Sequence, residues 1–200
     1  SNVLGSKSTA VGTDCLTAQK PVDGSGNDVA TDMYNTAMGY HAGVSVSTGV
    51  QNTLIGGHAG DALTSSADNT AVGYQALGSA TTGNENTAVG HSALFTNILS
   101  DRNVALGLDT LRNHDQASSI DSYNVAVGYN TGAAVTTGIR NTYIGALAGD
   151  ALTDADYNVA IGYSSLSADT LGSKSTAIGV GALESQRPVD GSGNDVATDM

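Results

Sequence analysis

The segment Pro21–Asp32 carries the densest group of side-chain oxygens in the sequence, and oxygens are the ligands that Ca²⁺ prefers. The side chains that could surround a calcium ion are those of Asp23, Ser25, Asn27, Asp28 and Asp32. Their spacing departs from that of an EF-hand loop, because the sixth position is not glycine and the twelfth is Tyr34 instead of glutamate. We therefore predict a polar loop and no cofactor, with calcium held by residues 23–32 as the alternative.

Four histidines could ligate a transition metal through their imidazole nitrogens. His41 and His58 occupy equivalent positions in successive copies of a repeat, so stacked strands would place them about 4.8 Å apart. His91 and His114 stand at other positions, and the one cysteine, Cys15, is matched by alanine in its second copy. We therefore predict no metal site. We interpret the histidines as solvent-exposed, or as part of a seam if chains assemble.

No constellation typical of catalysis is present in the sequence: there is no G-x-S-x-G elbow, no phosphate-binding loop and no distinct pair of carboxylates. The net charge of −12, from 19 acidic and 7 basic residues, argues against binding to nucleic acids or to anionic membrane surfaces. No apolar run reaches the roughly 18 residues of a membrane span. We predict a non-enzyme without catalytic, cofactor-binding or metal-binding residues, and with no nucleic-acid or membrane partner.

Two residue types could instead serve binding. A tyrosine ring with its polar tip can stack on a sugar or pack within or between chains, and we favour packing. One row of tyrosines contains Tyr40, Tyr74, Tyr129 and Tyr163, and a second contains Tyr34, Tyr123 and Tyr157. A threonine ladder is what an ice-binding face requires, and here it is partial: Thr36, Thr53, Thr70, Thr87 and Thr142, interrupted by Val104, Val125 and Val159.

A tandem repeat must position all of these residues. A string close to Asn-Thr-Ala-Val-Gly occurs ten times, and its glycines are separated by 27, 17, 17, 17, 17, 21, 17, 17 and 17 residues. A fixed period indicates a solenoid, in which each unit buries its apolar side chains against its neighbours. Numbering the Asn as position 1, position 4 is aliphatic or Met, position 8 is small, and position 9 is Leu or Gly.

These positions predict an all-β protein, a parallel β-solenoid or β-roll of about ten 17-residue turns with two short strands per turn. Because β-branched residues recur at position 4, we expect their side chains to point inward with the small residues. We also expect the Asn side chains to hydrogen-bond along the axis, as in other stacked parallel arrays.

A longer repeat lies above the first. Leu4–Met33 and Leu171–Met200 align without gaps and differ at seven of thirty positions, with an offset of 167 residues. We therefore expect residues 1–200 to be one continuous array, a window of a longer fibre, with a super-repeat over 4–170 that restarts at 171. The longer units predict projecting loops at 19–34, 112–123 and 186–200.

The strings NTAVGYQAL, NTAVGHSAL, NVAVGYNTG and NVAIGYSSL resemble the head repeats of trimeric autotransporter adhesins and the seventeen-residue repeats of bacteriophage long tail-fibre proteins. The resemblance implies a left-handed β-roll, a homotrimer along a fibre axis and an extracellular location on a virion tail or a bacterial surface appendage. It also implies a host-surface glycan or receptor as partner. The function predicted is a structural fibre or adhesin segment that spaces and presents attachment sites. The alternative is a solenoid face that binds carbohydrate or ice.

Overall fold

A computed structural model describes residues 5–20 and 31–184 of the chain. Within these ranges the protein has no helix and consists of short strands joined by turns. The strands are β1 (Gly5–Ser6), β2 (Thr9–Val11), β3 (Thr31–Asp32), β4 (Thr36–Met38), β5 (Thr53–Ile55), β6 (Thr70–Val72), β7 (Thr87–Val89), β8 (Ser100–Asp101), β9 (Val104–Leu106), β10 (Ile120–Asp121), β11 (Val125–Val127), β12 (Thr142–Ile144), β13 (Val159–Ile161) and β14 (Thr176–Ile178).

Ten of these strands form one parallel sheet in the order β2-β4-β5-β6-β7-β9-β11-β12-β13-β14. Equivalent residues are aligned from turn to turn, as in the pairing of Thr70 with Thr87 and of Val72 with Val89. The chain thus climbs one strand spacing per repeat, which confirms the predicted parallel β-solenoid.

The expectation of two strands per turn is not met in the described residues. Outside the sheet only β1 pairs with β3 and β8 with β10, each beside one of the longer units. Elsewhere the second half of each turn bonds to the next turn without a regular strand, as Leu77 N does to Ala93 O at 3.0 Å. The reason is local, because residues such as Gln75 and Leu77 have left-handed φ values of 57° and 52°, which interrupt an extended strand.

The repeat asparagines form a buried hydrogen-bonded column along the axis, as the sequence predicts. Asn69 is typical: its Nδ2 donates to Asn52 Oδ1 at 3.2 Å, and its Oδ1 accepts the backbone N–H of Asn86 at 2.9 Å. The same Nδ2 donates to the carbonyl of Gly83 at 2.9 Å and so closes its own turn. Each asparagine therefore satisfies backbone groups that would otherwise be buried without partners.

Position 3, which is alanine in most turns and Leu54 or Tyr143 in two, forms the core with leucine at position 9, whereas position 4 points outward. The middle residue of β6, Ala71, is fully buried, and so is Leu77. Met38 and Ile144, both at position 4, are 47% and 39% exposed. The prediction of inward position-4 side chains is therefore wrong. Side chains alternate along a strand, so burying the middle residue of a three-residue strand turns the first and third outward.

Position 12 completes the core and varies with position 9. Where position 9 is leucine, position 12 is alanine or polar: Gln19, Ala80, Asn97, His114 and Asp169. Where position 9 is glycine, position 12 is a buried aliphatic: Val46, Leu63, Val135 and Leu152. The space inside a glycine turn is therefore filled by position 12 together with the large position-3 side chains Leu54 and Tyr143, which lie 2.8 Å from a Cβ added at Gly60 and Gly149.

The predicted loops at 19–34 and 186–200 lie mostly outside the described residues. In the segment 112–123, residues 117–119 are exposed, but His114, Gln116 and Ser122 are buried. The pairing of β10 with β8 returns this segment to the solenoid before the next asparagine.

Candidate interaction surfaces

The first and third residues of the ten sheet strands form what we call the outward face. The first residue is always Thr or Val, and the third is Val, Met, Ile or Leu, so the face carries no charge from β2 to β14. With about 4.8 Å between parallel strands, its nine steps span roughly 43 Å. Most of its side chains are partly exposed, and a continuous uncharged surface with an aliphatic row of this kind is typical of an interaction site.

Threonines occupy the first row of the outward face in five successive turns. The register aligns Thr9, Thr36, Thr53, Thr70 and Thr87. The predicted threonine ladder is therefore continuous from β2 to β7, and it extends to Thr9 beyond the threonines that were predicted. The neighbouring row at position 4 is aliphatic, so the face has threonine on one side only.

Tyrosines at position 6 form a second surface feature, here called the tyrosine row: Tyr40, Tyr74, Tyr129 and Tyr163. Each is about half exposed, between 50% and 55%. The row consists of two pairs, Tyr40 with Tyr74 and Tyr129 with Tyr163, and the members of each pair are two turns apart. The residue at position 6 of the turn between them is small, Gly57 in the first pair and Ala146 in the second.

Histidines pack among the first of these pairs. The rings of His41 and His58 are adjacent, with centroids 5.2 Å apart in an edge-to-face arrangement, as expected from their equivalent positions. His41 stacks on Tyr40 at 3.9 Å, and His91 lies 5.3 Å from Tyr74. The sequence placed His91 outside the cluster, because it stands at position 6 and not 7. Across the described residues, no three His, Cys, Asp or Glu side chains are grouped to hold a metal ion.

The residue before each repeat asparagine forms a third row, in which tyrosines pack on cations. Lys7 Nζ lies 5.3 Å from the ring centroid of Tyr34. It donates to Asp32 Oδ2 at 2.6 Å and to the Tyr34 hydroxyl oxygen at 3.2 Å, and these two hydrogen bonds raise the pKa of Lys7. Arg140 lies in the same way over Tyr157, whose hydroxyl oxygen accepts its Nη1–H at 2.6 Å. These tyrosines therefore pack within the chain.

Of the candidate calcium ligands, only Asp32 lies in the described residues, where its Oδ2 pairs with Lys7 Nζ and accepts the Tyr34 hydroxyl at 3.3 Å. Asp23, Ser25, Asn27 and Asp28 lie outside the described residues. Cys15 is free and part-buried, and its Sγ lies 2.7 Å from the carbonyl oxygen of Gly39.

His114 contradicts the interpretation of the histidines as solvent-exposed, because it is fully buried. Counted from Asn103 it stands at position 12, inside the turn, and its Nε2 lies 3.4 Å from Asn124 Nδ2. Burial disfavours the imidazolium ion and lowers the pKa of His114 from 6.5 to about 4.

The stability of the protein is therefore expected to fall as the pH drops from 6.5 to 4, because in this window the unfolded chain binds a proton that the folded chain does not. The loss at His114 is about 3 kcal/mol. The variant His114→Asn copies the adjacent turn, where Leu94 and Asn97 fill the same positions. Urea unfolding at pH 7.5, 6 and 5 should show a smaller decline in the variant; equal declines would refute this role of His114.

No family model, curated protein or solved structure matches the chain. The described residues include no helix long and apolar enough to span a membrane. The outward face, the tyrosine row and the third row are therefore the features of the protein that bear on its function.

Proposed function

We propose that the chain is a structural segment of an extended extracellular fibre, on a virion tail or a bacterial surface, that self-associates as a homotrimer and spaces attachment sites. The observation that carries the proposal is the outward face, which is uncharged over ten successive strands and has an aliphatic or methionine side chain at the third residue of each. Its burial against other copies would remove from water the apolar surface that the narrow core leaves exposed.

The architecture also suits a spacer. β14 occupies the position in the second super-repeat that β2 has in the first, since Thr9–Val11 and Thr176–Ile178 are 167 residues apart. The sheet gains nine strand spacings between them, so each super-repeat lengthens a shaft by roughly 43 Å. Tandem duplication would therefore extend the fibre without altering its cross-section.

Light scattering is expected to give a trimeric mass for the wild type and a monomeric mass for Val72→Lys/Val127→Lys. Both valines lie on the outward face of central strands, and a buried lysine without a partner is costly. Thr137→Lys, at an exposed position outside the sheet, is the matched control and should remain trimeric. Circular dichroism verifies that the wild type and both variants are folded.

A monomeric wild type, or trimeric lysine variants, would overturn the assembly through this face. The second candidate function would then gain weight, because the five aligned threonines would be open to water. In that case thermal hysteresis of the monomer, absent in Thr53→Lys/Thr70→Lys, would identify an ice-binding face.

A further inference from the structure

The tyrosine row has a spacing that the outward face does not explain. Tyr40 and Tyr74 are separated by two turns, which corresponds to about 9.5 Å along the axis. Tyr129 and Tyr163 repeat the arrangement, and in both pairs the intervening residue is small. A Cβ added to Gly57 would lie 3.4 Å from the ring of Tyr74, so a larger side chain there would crowd the space between the rings.

The rings of the first pair are held in place by their neighbours. The ring of Tyr40 stacks on His41 at an interplanar angle of 16°, and the edge of His58 lies 5.3 Å away. His58 is oriented in turn by Asp61, whose Oδ2 lies 2.8 Å from Nδ1. If Nδ1 donates to this carboxylate, Nε2 is the ring's acceptor. The rings are thus supported from one side and half exposed on the other, beside a polar group.

We propose that each tyrosine pair binds a neutral, extended β-1,4-linked polysaccharide laid along the rod. In such a chain each sugar extends the polymer by about one strand spacing and is turned over relative to the last, so every second ring presents the same face. Two tyrosines two turns apart therefore meet equivalent sugar faces, and the sugar between them lies over Gly57. An aromatic ring with a polar tip suits the apolar face and hydroxyl rim of a sugar.

Charge selects among polysaccharides. Asp14 and Asp61 flank the histidines of the first pair, with Asp14 Oδ2 lying 3.4 Å from His41 Nε2. The chain as a whole carries a charge of −12. The two aspartates and the negative net charge would both repel an anionic glycan, so the polysaccharide that binds is neutral.

The inference rests on the proposed role in attachment, and calorimetry with soluble hexasaccharides tests it. Wild-type protein is expected to bind cellohexaose. It should bind two other hexasaccharides much more weakly: maltohexaose, because its α-1,4 links curve the chain, and β-1,4-linked hexamannuronate, because it is anionic. Replacing all four tyrosines of the row by alanine should weaken cellohexaose binding about ten-fold or more. The matched control replaces Tyr34, Tyr123 and Tyr157 by alanine. They are as exposed but belong to the other row, and affinity should stay within about two-fold.

The proposal fails if the wild type does not bind cellohexaose, if maltohexaose or hexamannuronate binds as well, or if the control variant loses as much affinity. Light scattering on the same samples keeps this result apart from the proposed trimer. A trimer that does not bind cellohexaose refutes the polysaccharide site alone, and loss of the trimer in the fourfold variant would assign the row to a chain interface.

Discussion

Replacing Gly73 by alanine is expected to destabilise the solenoid by about 3 kcal/mol or more. This glycine directly follows β6 and has a φ of +134°, which residues with a Cβ rarely adopt, and such backbone conformations cost on the order of 1–3 kcal/mol. A Cβ would also lie 2.5 Å from the carbonyl oxygen of Gly90 in the next turn. Gly90 N is itself bonded to Val72 O at 2.8 Å, so neither strand can move away without breaking the ladder.

Gly57→Ala is the matched control, because Gly57 is outside the left-handed region and the nearest atom to its added Cβ is 3.4 Å away. Its stability should be unchanged or slightly raised, since alanine reduces the freedom of the unfolded chain. Urea unfolding followed by circular dichroism compares the two variants. If the free energies of unfolding of Gly73→Ala and Gly57→Ala differ by less than about 0.5 kcal/mol, the close packing of the repeat glycines does not determine the backbone conformation at Gly73.

The repeat period made the solenoid and the asparagine column predictable. An asparagine that returns every seventeen residues can lie only above the last one, and a stacked amide column satisfies backbone as well as side chains, as Asn69 shows. The tyrosine row was also visible, because position 6 is fixed relative to each asparagine. These features depend on the spacing alone.

The inward positions were harder to assign, because hydrophobicity pointed to the wrong residue. Val72 is more apolar than Ala71, yet alanine is buried and valine faces outward. In a narrow turn Leu77 already fills most of the interior, which leaves room only for a methyl group opposite. His114 was misassigned because its unit is longer, although its offset from Leu111 equals that of Asn97 from Leu94.

The sharpest test of this core is to replace the side chains at positions 9 and 12 of one turn, first separately and then together. Leu77→Gly is expected to cost about 3 kcal/mol, because the cavity left by a buried leucine outweighs the relief of its left-handed φ. Ala80→Val adds two methyl groups to a full interior and should cost about 1–2 kcal/mol. The double variant carries at positions 9 and 12 the same residue types as the turn of Gly43 and Val46.

The structure indicates that the double variant will recover part of the loss. A Cβ at Gly60 would lie 2.7 Å from Leu63 Cδ1 and 2.8 Å from Leu54 Cδ2, and one at Gly43 would lie 2.7 Å from Leu54 Cδ1 and 3.3 Å from Val46 Cγ2. The position-12 side chain therefore fills part of the space that position 9 vacates, and Leu54 fills another part. Around Leu77 the position-3 residues are Ala71 and Ala88, so only the share of the space that position 12 fills is recovered. The double variant should therefore be about 1 kcal/mol more stable than the sum of the single effects predicts. Combining Ala80→Val with Leu166→Gly, five turns away, supplies the control, and those effects should add. If the stability effects of Leu77→Gly and Ala80→Val also add, positions 9 and 12 do not share a volume. The choice between leucine and glycine at position 9 would then have another cause.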